Sequence, residues 1–466
     1  MNDTVLRFGA ADLTNCDREP IHIPGCIQPH GCLLAFDTDT LRLTHWSANV
    51  ESHLGITPVG GSSLDELGVH FETDVCDTIL RGREGTVHPV RLLFREAGLE
   101  ERRRPAVAHH YQGRLIIECE NLPSDAAGVP WLNRLPLRLA ATGQKLQACQ
   151  DLESLYSEIA AEVRNLNGFD RVMVYRFLEE GHGAVVGESV ADGFGSFLGL
   201  HYPATDIPQQ ARRLYTISAV RAIADIAAEP IAMLATSDEP LDLSFSCFRA
   251  VSPIHVEYLR NMGVCASMSI SILRDGELWG LIACHHYAPR PLTFEQRAVC
   301  EVLGMMAGTY LSAREQADAN QIRANRRAKL VRAVTSIVRA TSFTQGVESA
   351  LELLCQVIEA EGVMLCWRSQ ASTSGVVPSQ AVIDQICTHC SSTNEIWATD
   401  QLAAELPVTA GQPVCGCLAI PFEAPDLMGA IFFRREYTHE VVWGGDPNKA
   451  VEETPEGVRL SPRQSF

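Results

Sequence analysis

The chain has 466 residues, 46% of them hydrophobic, and this length predicts about three domains, each with its own core. Lys and Arg number 38 against 57 Asp and Glu, and the net charge of −19 disfavours binding to nucleic acid or acidic membrane surfaces. No window offers about 18 uncharged apolar residues, and the N-terminus lacks a basic start followed by an apolar run. We therefore expect a cytoplasmic protein without a membrane partner, whose 16 Cys are mostly reduced and buried.

After an N-terminal arm of residues 1–31, the sequence predicts an α+β domain from residue 32 to about residue 125. LRLTHWS alternates, TVHPVRLLF is strand-like, and VAHHYQGRLIIECE predicts two strands joined around Gln112-Gly113. The stretch NLPSDAAGVPWLNRLP then marks a boundary, because it is rich in Pro and Gly. A second domain is expected to begin near residue 140.

The second domain, from about residue 140 to residue 315, begins with apolar residues at helical spacing. They are Cys149, Leu152, Tyr156, Ile159 and Val163. FDRVMVYRF, GAVVGESV, SMSISIL and LWGLIAC predict strands, and Asp275-Gly276 between the last two is a strong hairpin signal. The second domain is therefore also expected to contain a sheet.

A long helix is expected to connect the second domain to a third. From Thr309 to Gln345 the chain has no Gly or Pro, which predicts one helix of about 55 Å. Its basic run from Arg323 to Arg332 is interpreted as a solvated helix face, given the acidic total. The third domain, residues 330–466, contains the strand-like CLAIPF and GAIFFRRE. Because the chain stops on an apolar Phe466 directly after SPRQS, we expect this domain to be incomplete.

Three separated stretches carry candidate binding residues. They are TNCDREPIHIPGCIQPHG with Cys16, HYPATDIPQQARRLY with Asp206, and WGLIACHH with His285 and His286. A thiol on an arm can reach a ligand that is already seated in a separate pocket and add to it to form a thioether. Together with an Asp in a Pro-bounded turn and two histidines, this thiol suggests a buried pocket for a charged, nitrogen-rich ligand held covalently.

These stretches resemble phytochromes, specifically the bacterial kind that attach biliverdin. Over nearly the whole chain, the resemblance implies an α+β fold with a PAS domain (32–125), a GAF domain (140–315), a connecting helix (309–345) and a partial PHY domain (330–466). Each domain would be an antiparallel sheet with helices. The family's arm is knotted through the GAF domain, which would place Ile27 inside the loop. WGGDP and SPRQSF resemble the two ends of the PHY tongue, here residues 430–466.

The resemblance implies that Cys16 attaches the chromophore. Plant-like phytochromes use instead a Cys immediately before the first pocket histidine, and that position is Ile254 in this chain. The difference favours biliverdin on Cys16. Cys26 and Cys32 are weaker rivals, because both follow the key segment of the arm.

The family's other chromophore contacts transfer position by position. The inner nitrogens of a protonated tetrapyrrole need acceptors, since an uncompensated buried charge is costly. The main-chain carbonyl of Asp206 and the ring of His255 would serve them, and His285 would bond the carbonyl of the D ring. The remaining implied residues are Arg221, Arg249, Tyr215, Ser267 and Ser269 for the propionates, Tyr175, Phe197 and Tyr202 around the D ring, and Ile207 and Pro208 beside the turn Asp.

The implied function is a red/far-red photoreceptor without catalytic residues of its own. Light would isomerise the C–D double bond of biliverdin from Z to E. Arg463 would pair with Asp206 in the red-absorbing state, and Ser465 would replace it in the far-red state. The long helix would carry the change to an absent output, a histidine kinase that acts on a response regulator. A homodimer through the GAF domain and the long helix is also implied.

Two binding alternatives and one enzymatic alternative stay open at this level. Cys387, His389 and Cys390 of CTHC could bind zinc with Cys415 and Cys417 of CGC, although CTHC reads as part of a helix and CGC as the start of a strand. A haem protein could use His255 or His285 as an axial ligand. A stand-alone enzyme is the weakest reading, since the chain has no Walker loop, GxGxxG, HExxH or nucleophile elbow.

Overall fold

A computed structural model describes residues 8, 19–94, 102–120, 135–179, 181–367, 370–393, 395–409, 411–424, 427–438, 440–444, 451–454 and 457–460. Cys16, Arg463 and Ser465 lie outside these residues, so their roles stay predictions. The chain divides into two compact units, Met1–Ala313 with Val441–Phe466 and Arg314–Glu440. Among the described residues, none of the helices is both long and apolar enough to span a bilayer.

The described residues form antiparallel sheets with helices, the α+β class that the sequence predicts. The helices are α1 (Val50–Leu54), α2 (Cys76–Arg81), α3 (Leu135–Ala148), α4 (Leu152–Asn167), α5 (Gln209–Ile217), α6 (Pro253–Asn261), α7 (Phe294–Arg339), α8 (Phe343–Ile358), α9 (Gln380–Thr393) and α10 (Leu402–Glu405). Short 3₁₀ turns cover Ala204–Asp206 and Pro407–Thr409.

The strands of the first unit belong to an eight-stranded sheet, a six-stranded sheet and a separate hairpin. They are β1 (Cys26–Ile27), β2 (Gly31–Asp37), β3 (Leu43–Ser47), β4 (Val69–Phe71), β5 (His88–Phe94), β6 (Arg102–Tyr111), β7 (Arg114–Glu120), β8 (Arg171–Phe177), β9 (Gly183–Val190), β10 (His201–Tyr202), β11 (Val220–Ile223), β12 (Ile231–Ala235), β13 (Ala266–Arg274), β14 (Glu277–His286), β20 (Val451–Thr454) and β21 (Gly457–Leu460). The strands of the second unit are β15 (Gly362–Trp367), β16 (Gln370–Gly375), β17 (Trp397–Thr399), β18 (Gly416–Ala424) and β19 (Leu427–Arg434).

Both hairpins that the sequence predicts are confirmed. Gln112 and Gly113 have φ of 46° and 71° between β6 and β7, and Asp275 and Gly276 have φ of 53° and 84° between β13 and β14. Two successive residues with positive φ form the turn whose twist matches that of paired strands. Local turn chemistry therefore defines the long hairpin of each large sheet.

The eight-stranded sheet of the first domain has the order β1-β12-β3-β2-β7-β6-β5-β4, so it includes β1 of the arm and β12 of the second domain. Ile27 in β1 is fully buried. The Gln28 N–H donates to the Phe248 carbonyl at 2.7 Å, and the Ala250 N–H donates to the Cys26 carbonyl at 3.2 Å. The arm thus lies hydrogen bonded between β12 and residues 248–250, although its passage through a closed loop stays a prediction.

The second domain has a six-stranded sheet in the order β10-β9-β8-β14-β13-β11. Its helix α4 begins with a capping box, in which the Asp151 side chain accepts a hydrogen bond from the Ser154 N–H at 2.8 Å. Apolar side chains of α4 and α7 form one core with β8, β13 and β14. These helices therefore cover one face of the sheet and leave the other for different contacts.

The long helix begins earlier than predicted, at Phe294 rather than Thr309. The prediction starts the helix directly after Gly308, because glycine weakens helices. In the structure, a Cβ at Gly308 would lie 2.5 Å from the carbonyl oxygen of Leu273 on β13. Glycine is thus kept inside the helix because it lets the helix approach the sheet closely.

The same helix ends at Arg339, whereas the prediction extended it to Gln345. The Ser342 side chain accepts a hydrogen bond from the Gln345 N–H and starts the separate helix α8. An N-cap serine satisfies free N–H groups at a new helix start, so it divides a run of good helix formers. α7 has 46 residues and a length of roughly 70 Å.

The second unit contains a five-stranded sheet in the order β16-β15-β19-β18-β17. One face of this sheet packs against α9 in one apolar cluster, and the other face packs against α8 in a second apolar cluster. CTHC lies in α9 and CGC opens β18, as the sequence indicates. In the part of the chain that the structure describes, no group of three or more His, Cys, Asp or Glu could hold a metal ion.

Candidate functional site

The two faces of the six-stranded sheet carry different chemistry. On the helix side, Ile270 and Ile282 are fully buried in the core with α4 and α7. On the other side, Ser267 pairs with His285, and Arg221 pairs with Ser269. Because directly paired residues project to the same face, the strands gather polar side chains there. This polar face is the candidate site.

Two histidines of the candidate site are held neutral by burial. His285 on β14 is 7% exposed, and burial, followed by the charges of Arg171 and His255, lowers its pKa to about 3. His255 on α6 stacks on Tyr258 with ring centroids 6.0 Å apart. Removal from water and the nearby Arg221 charge lower its pKa to about 4. Both rings are therefore uncharged at neutral pH and each has a nitrogen that can accept a hydrogen bond.

Two arginines, of which Arg249 is buried and Arg221 is half-buried, lie beside these histidines. Arg221 donates from Nη2 to the carbonyls of Arg249 and of Ala250, the latter at 3.0 Å. Arg249 is 7% exposed, and its Nε and Nη1 have no hydrogen-bond partner among the described residues. Burial lowers the pKa of Arg249 to about 10 and, together with the charge of Arg249, that of Arg221 to about 9. Unsatisfied buried guanidinium groups are costly, and an anionic ligand would satisfy them.

Hydroxyl groups lie on the same face as the arginines. The Tyr215 hydroxyl on α5 donates to Ser269 Oγ at 3.4 Å. Ser267 is buried next to its partner His285. The sequence-predicted set Arg221, Tyr215, Ser267 and Ser269 is therefore brought together by β11, α5 and β13.

The predicted aromatic residues form one cluster. Tyr175 and Tyr202 are buried with ring centroids 6.1 Å apart, and Phe197 packs against the same cluster. Arg171 lies with Cζ 3.8 Å from the Phe197 ring centre and forms a buried ion pair with Glu188. Sequence reasoning missed this ion pair, although an Arg and a Glu within otherwise apolar strands are a detectable signal.

The turn aspartate lies beside α6. Asp206 ends a 3₁₀ turn, and its carboxylate Oδ2 accepts a hydrogen bond from the Tyr258 hydroxyl at 3.2 Å. The Ile207 carbonyl accepts from Arg212 Nε at 2.8 Å, and Pro208 is the N-cap of α5. Tyr258 was not among the predicted residues, because its partner lies 52 positions away in sequence.

The WGG stretch of the predicted tongue pairs with β10. The His201 N–H donates to the Val442 carbonyl at 2.8 Å, and the Gly444 N–H donates to the His201 carbonyl at 2.9 Å. A Cβ at Gly444 would lie 2.6 Å from Cζ of Tyr202. This stretch therefore packs directly over the aromatic cluster, where a side chain at position 444 would displace the Tyr202 ring.

The polar face, with its buried nitrogen atoms that lack partners among the described residues, defines a candidate ligand-binding site. Three family models match the chain: a PAS fold at residues 16–122, a GAF domain at 151–311 and the phytochrome region at 326–466. A bacteriophytochrome of Xanthomonas campestris is 32% identical over 98% of this chain and 74% of its own length. Cyanobacterial phytochrome B of Nostoc is 36% identical over 100% of this chain and 63% of its own length.

Solved structures are similar over nearly the whole chain. The bacteriophytochrome RpBphP3 of R. palustris has a TM-score of 0.82 at 34% identity and covers 97% of this chain and 92% of its own. The photosensory core module of Stigmatella aurantiaca phytochrome has a TM-score of 0.80 at 36% identity and covers 98% and 92%. The chain therefore belongs to the phytochrome family of photoreceptors, which implies a bilin chromophore. It spans 61 to 63% of the length of the first curated relatives.

Proposed function

We propose that this chain is a red/far-red photoreceptor that binds biliverdin covalently through Cys16. The observation that carries the proposal is a set of buried polar atoms without protein partners on the polar face. Among the described residues, they include Arg249 Nε and Nη1 and His285 Nδ1. A bilin offers two carboxylates and ring carbonyls, so it supplies the acceptors that these atoms need.

The residues fit this chromophore in charge as well as in hydrogen bonding. Arg249 and Arg221 would hold the propionates, with Tyr215, Ser267 and Ser269 as neighbouring hydroxyls. Asp206 and His255 would serve the inner nitrogens, and His285 would donate to or accept from the D ring according to its tautomer. Tyr175, Phe197 and Tyr202 would enclose the D ring, with Ile207 and Pro208 beside the turn. When bound, biliverdin supplies absorption of red light and Z/E isomerisation of its C–D double bond.

The protein's response would begin at Asp206 and the tongue. The Tyr258 hydroxyl donates a hydrogen bond to the Asp206 carboxylate, and residues 442–444 pair with β10 next to the aromatic cluster. Arg463 would pair with Asp206 in one state and Ser465 would replace it in the other. A single charge pair is enough to bias a bistable segment of this kind.

The output of the whole protein is a further part of the proposal. The family relationship supports a cytoplasmic homodimer that signals through a histidine kinase to a response regulator. The long helix α7 would carry the signal, since one continuous helix transmits displacement over its length. Ile27 would anchor the arm so that Cys16 stays near the pocket.

The most direct test of the proposal asks whether biliverdin becomes covalently attached to Cys16. The purified chain is mixed with biliverdin, separated under denaturing conditions and stained with zinc, which makes a bound bilin fluorescent. The wild-type chain and Cys26→Ser are expected to fluoresce, whereas Cys16→Ser is expected to lose the signal while still forming a red absorption band before denaturation.

Cys26→Ser is a matched control, because Cys26 is another thiol of the same arm. Fluorescence that survives Cys16→Ser would contradict the attachment site. A sharp haem-type band with haem, together with no red band with biliverdin, would overturn the chromophore assignment and support the haem alternative.

A further inference from the structure

Cys366 and Cys387 form a pair of thiols in the second unit, far in sequence from the residues of the candidate site. Cys366 lies on β15 and Cys387 lies on α9. The two side chains hydrogen bond to each other. Neither thiol belongs to the candidate site, so their contact needs a separate explanation.

Packing of α9 on the sheet produces this contact. On β15, Met364 and Cys366 are two residues apart and face the cluster that contains α9, whereas Val363 and Leu365 face the cluster that contains α8. On α9, Cys387 continues the buried stripe of Val382, Ile383 and Ile386 at helical spacing. Both cysteines therefore lie against the same core, and both remain partly exposed.

The contact makes the two thiols chemically unequal. The hydrogen bond from Cys366 lowers the pKa of Cys387, which favours the thiolate form of Cys387. The same hydrogen bond, followed by burial, raises the pKa of Cys366. These opposite directions favour Cys387 as the nucleophile and Cys366 as the neighbouring thiol.

We propose that Cys366 and Cys387 form an oxidisable dithiol that hydrogen peroxide or an organic hydroperoxide converts to a disulfide. The Cys387 thiolate attacks the terminal peroxide oxygen and breaks the O–O bond, which gives a sulfenic acid and releases hydroxide or alkoxide. The Cys366 sulfur then attacks the Cys387 sulfur. The S–S bond forms, and the hydroxyl leaves as water with the Cys366 proton. The two cysteines lose two electrons and the peroxide gains them.

A second thiol pair in the first domain provides an internal control. Cys32 on β2 and Cys119 on β7 are directly paired across the strands and hydrogen bond to each other. They are 1% and 2% exposed, and the hydrogen bond with Cys32 and burial hold the pKa of Cys119 well above its usual value. A thiol pair that is fully buried is expected to react slowly with peroxide.

To test this proposal, the purified chain is treated with hydrogen peroxide at neutral pH and digested with trypsin. The peptides are then analysed without reduction. Trypsin cuts after Arg368 and separates Cys366 in residues 340–368 from Cys387 in residues 369–434. We expect these peptides to become linked, with the loss of two hydrogen atoms, and fragment spectra to assign the link to Cys366 and Cys387. The link should form more than about tenfold faster than one between Cys32 and Cys119.

Three variants identify the roles of the sulfurs. Cys387→Ser is expected to abolish the link, and Cys366→Ser is expected to leave a Cys387 sulfenic acid that dimedone traps. Cys390→Ser, which removes a thiol three residues along the same helix, should retain the link. A circular dichroism spectrum and thermal melt confirm that each variant is folded. A link that persists in Cys387→Ser, a wild-type chain that forms none, or equal rates for the two pairs would overturn the proposal.

Discussion

The two faces of the six-stranded sheet are built from the same strands but serve opposite purposes. On the helix side, Ile270 and Ile282 are fully buried and pack into an apolar core. On the polar side, Arg249 and His285 are also buried, yet some of their nitrogen atoms lack partners among the described residues. The helix side is an apolar core, whereas the polar side keeps buried nitrogen atoms that a ligand would supply with hydrogen-bond partners.

This difference separates residues that maintain the fold from residues that maintain binding. Buried apolar side chains stabilise the fold in proportion to the area they remove from water. Buried polar groups without partners cost stability, and they are kept where a function needs them. Substitutions on the helix side should therefore lower stability, and those on the polar side should chiefly lower chromophore binding.

The largest expected effect on stability comes from Ile282→Ala on the helix side. The truncation removes a fully buried side chain and leaves a cavity, so the free energy of unfolding should fall by about 2–5 kcal/mol. Denaturant titration measures the loss. Ser267→Ala on the polar side should change the same quantity by less than about 1 kcal/mol in the chain without chromophore. Equal losses for the two variants would contradict the division between the faces.

Arg249→Met is expected to lower biliverdin affinity by about ten- to a hundredfold, because a charge-assisted hydrogen bond is worth about 1.5–3 kcal/mol. Its stability without chromophore should be unchanged or higher, since the variant removes unsatisfied buried N–H groups. Titration followed by absorbance gives the affinity, with Cys16→Ser in the background so that binding stays reversible. Wild-type affinity in the Arg249→Met chain would exclude a propionate role.

The two histidines of the candidate site predict a pH dependence of stability in the chain without chromophore. Their pKa values of about 4 for His255 and about 3 for His285 lie below the ordinary 6.5, which applies to the unfolded chain. Between pH 6.5 and 4 the unfolded state binds more protons, so stability falls as the pH falls through this window. His285→Gln should show a shallower fall in denaturant titrations across these pH values. The same slope as in the wild type would contradict burial of a neutral His285.

A small effect is expected from Tyr258→Phe. It removes the hydroxyl that donates to Asp206 Oδ2 at 3.2 Å, so the free energy of unfolding should decrease by about 0.5–1.5 kcal/mol. If the bond positions the turn Asp for the chromophore, the red absorption band of the biliverdin-loaded variant should also shift. No change in either quantity would mean that the hydroxyl does not position Asp206.

Local chemistry explains which parts of the fold the sequence predicts. Both hairpins follow from Gln112-Gly113 and Asp275-Gly276, because two-residue turns depend on their own residues. The start of α7 could not be predicted from the local sequence. Gly308 lies within this helix because the helix approaches Leu273 of β13 closely, and Leu273 is distant in the sequence. The pairing of β1 and β12 with the first sheet is likewise missed, because strand partners distant in sequence leave no local periodicity.

The candidate site shows the same limit. The polar and aromatic residues that motif resemblance predicts, other than Cys16, Arg463 and Ser465, lie among the described residues. The supporting contacts do not follow from motifs. The buried pair of Arg171 and Glu188, and the fully buried Glu118 that accepts a hydrogen bond from the Cys247 N–H at 2.9 Å, join distant segments. Such partners are specified by the assembled fold rather than by spacing.

The central claim is that the polar face holds a photoactive bilin, and an absorption spectrum under illumination tests it most directly. The chain is loaded with biliverdin, and spectra are recorded in darkness, after red light and after far-red light. We expect a red band that decreases in red light as a far-red band grows, with reversal by far-red light. A chain that gives no red band with biliverdin, or a red band that light leaves unchanged, would contradict it.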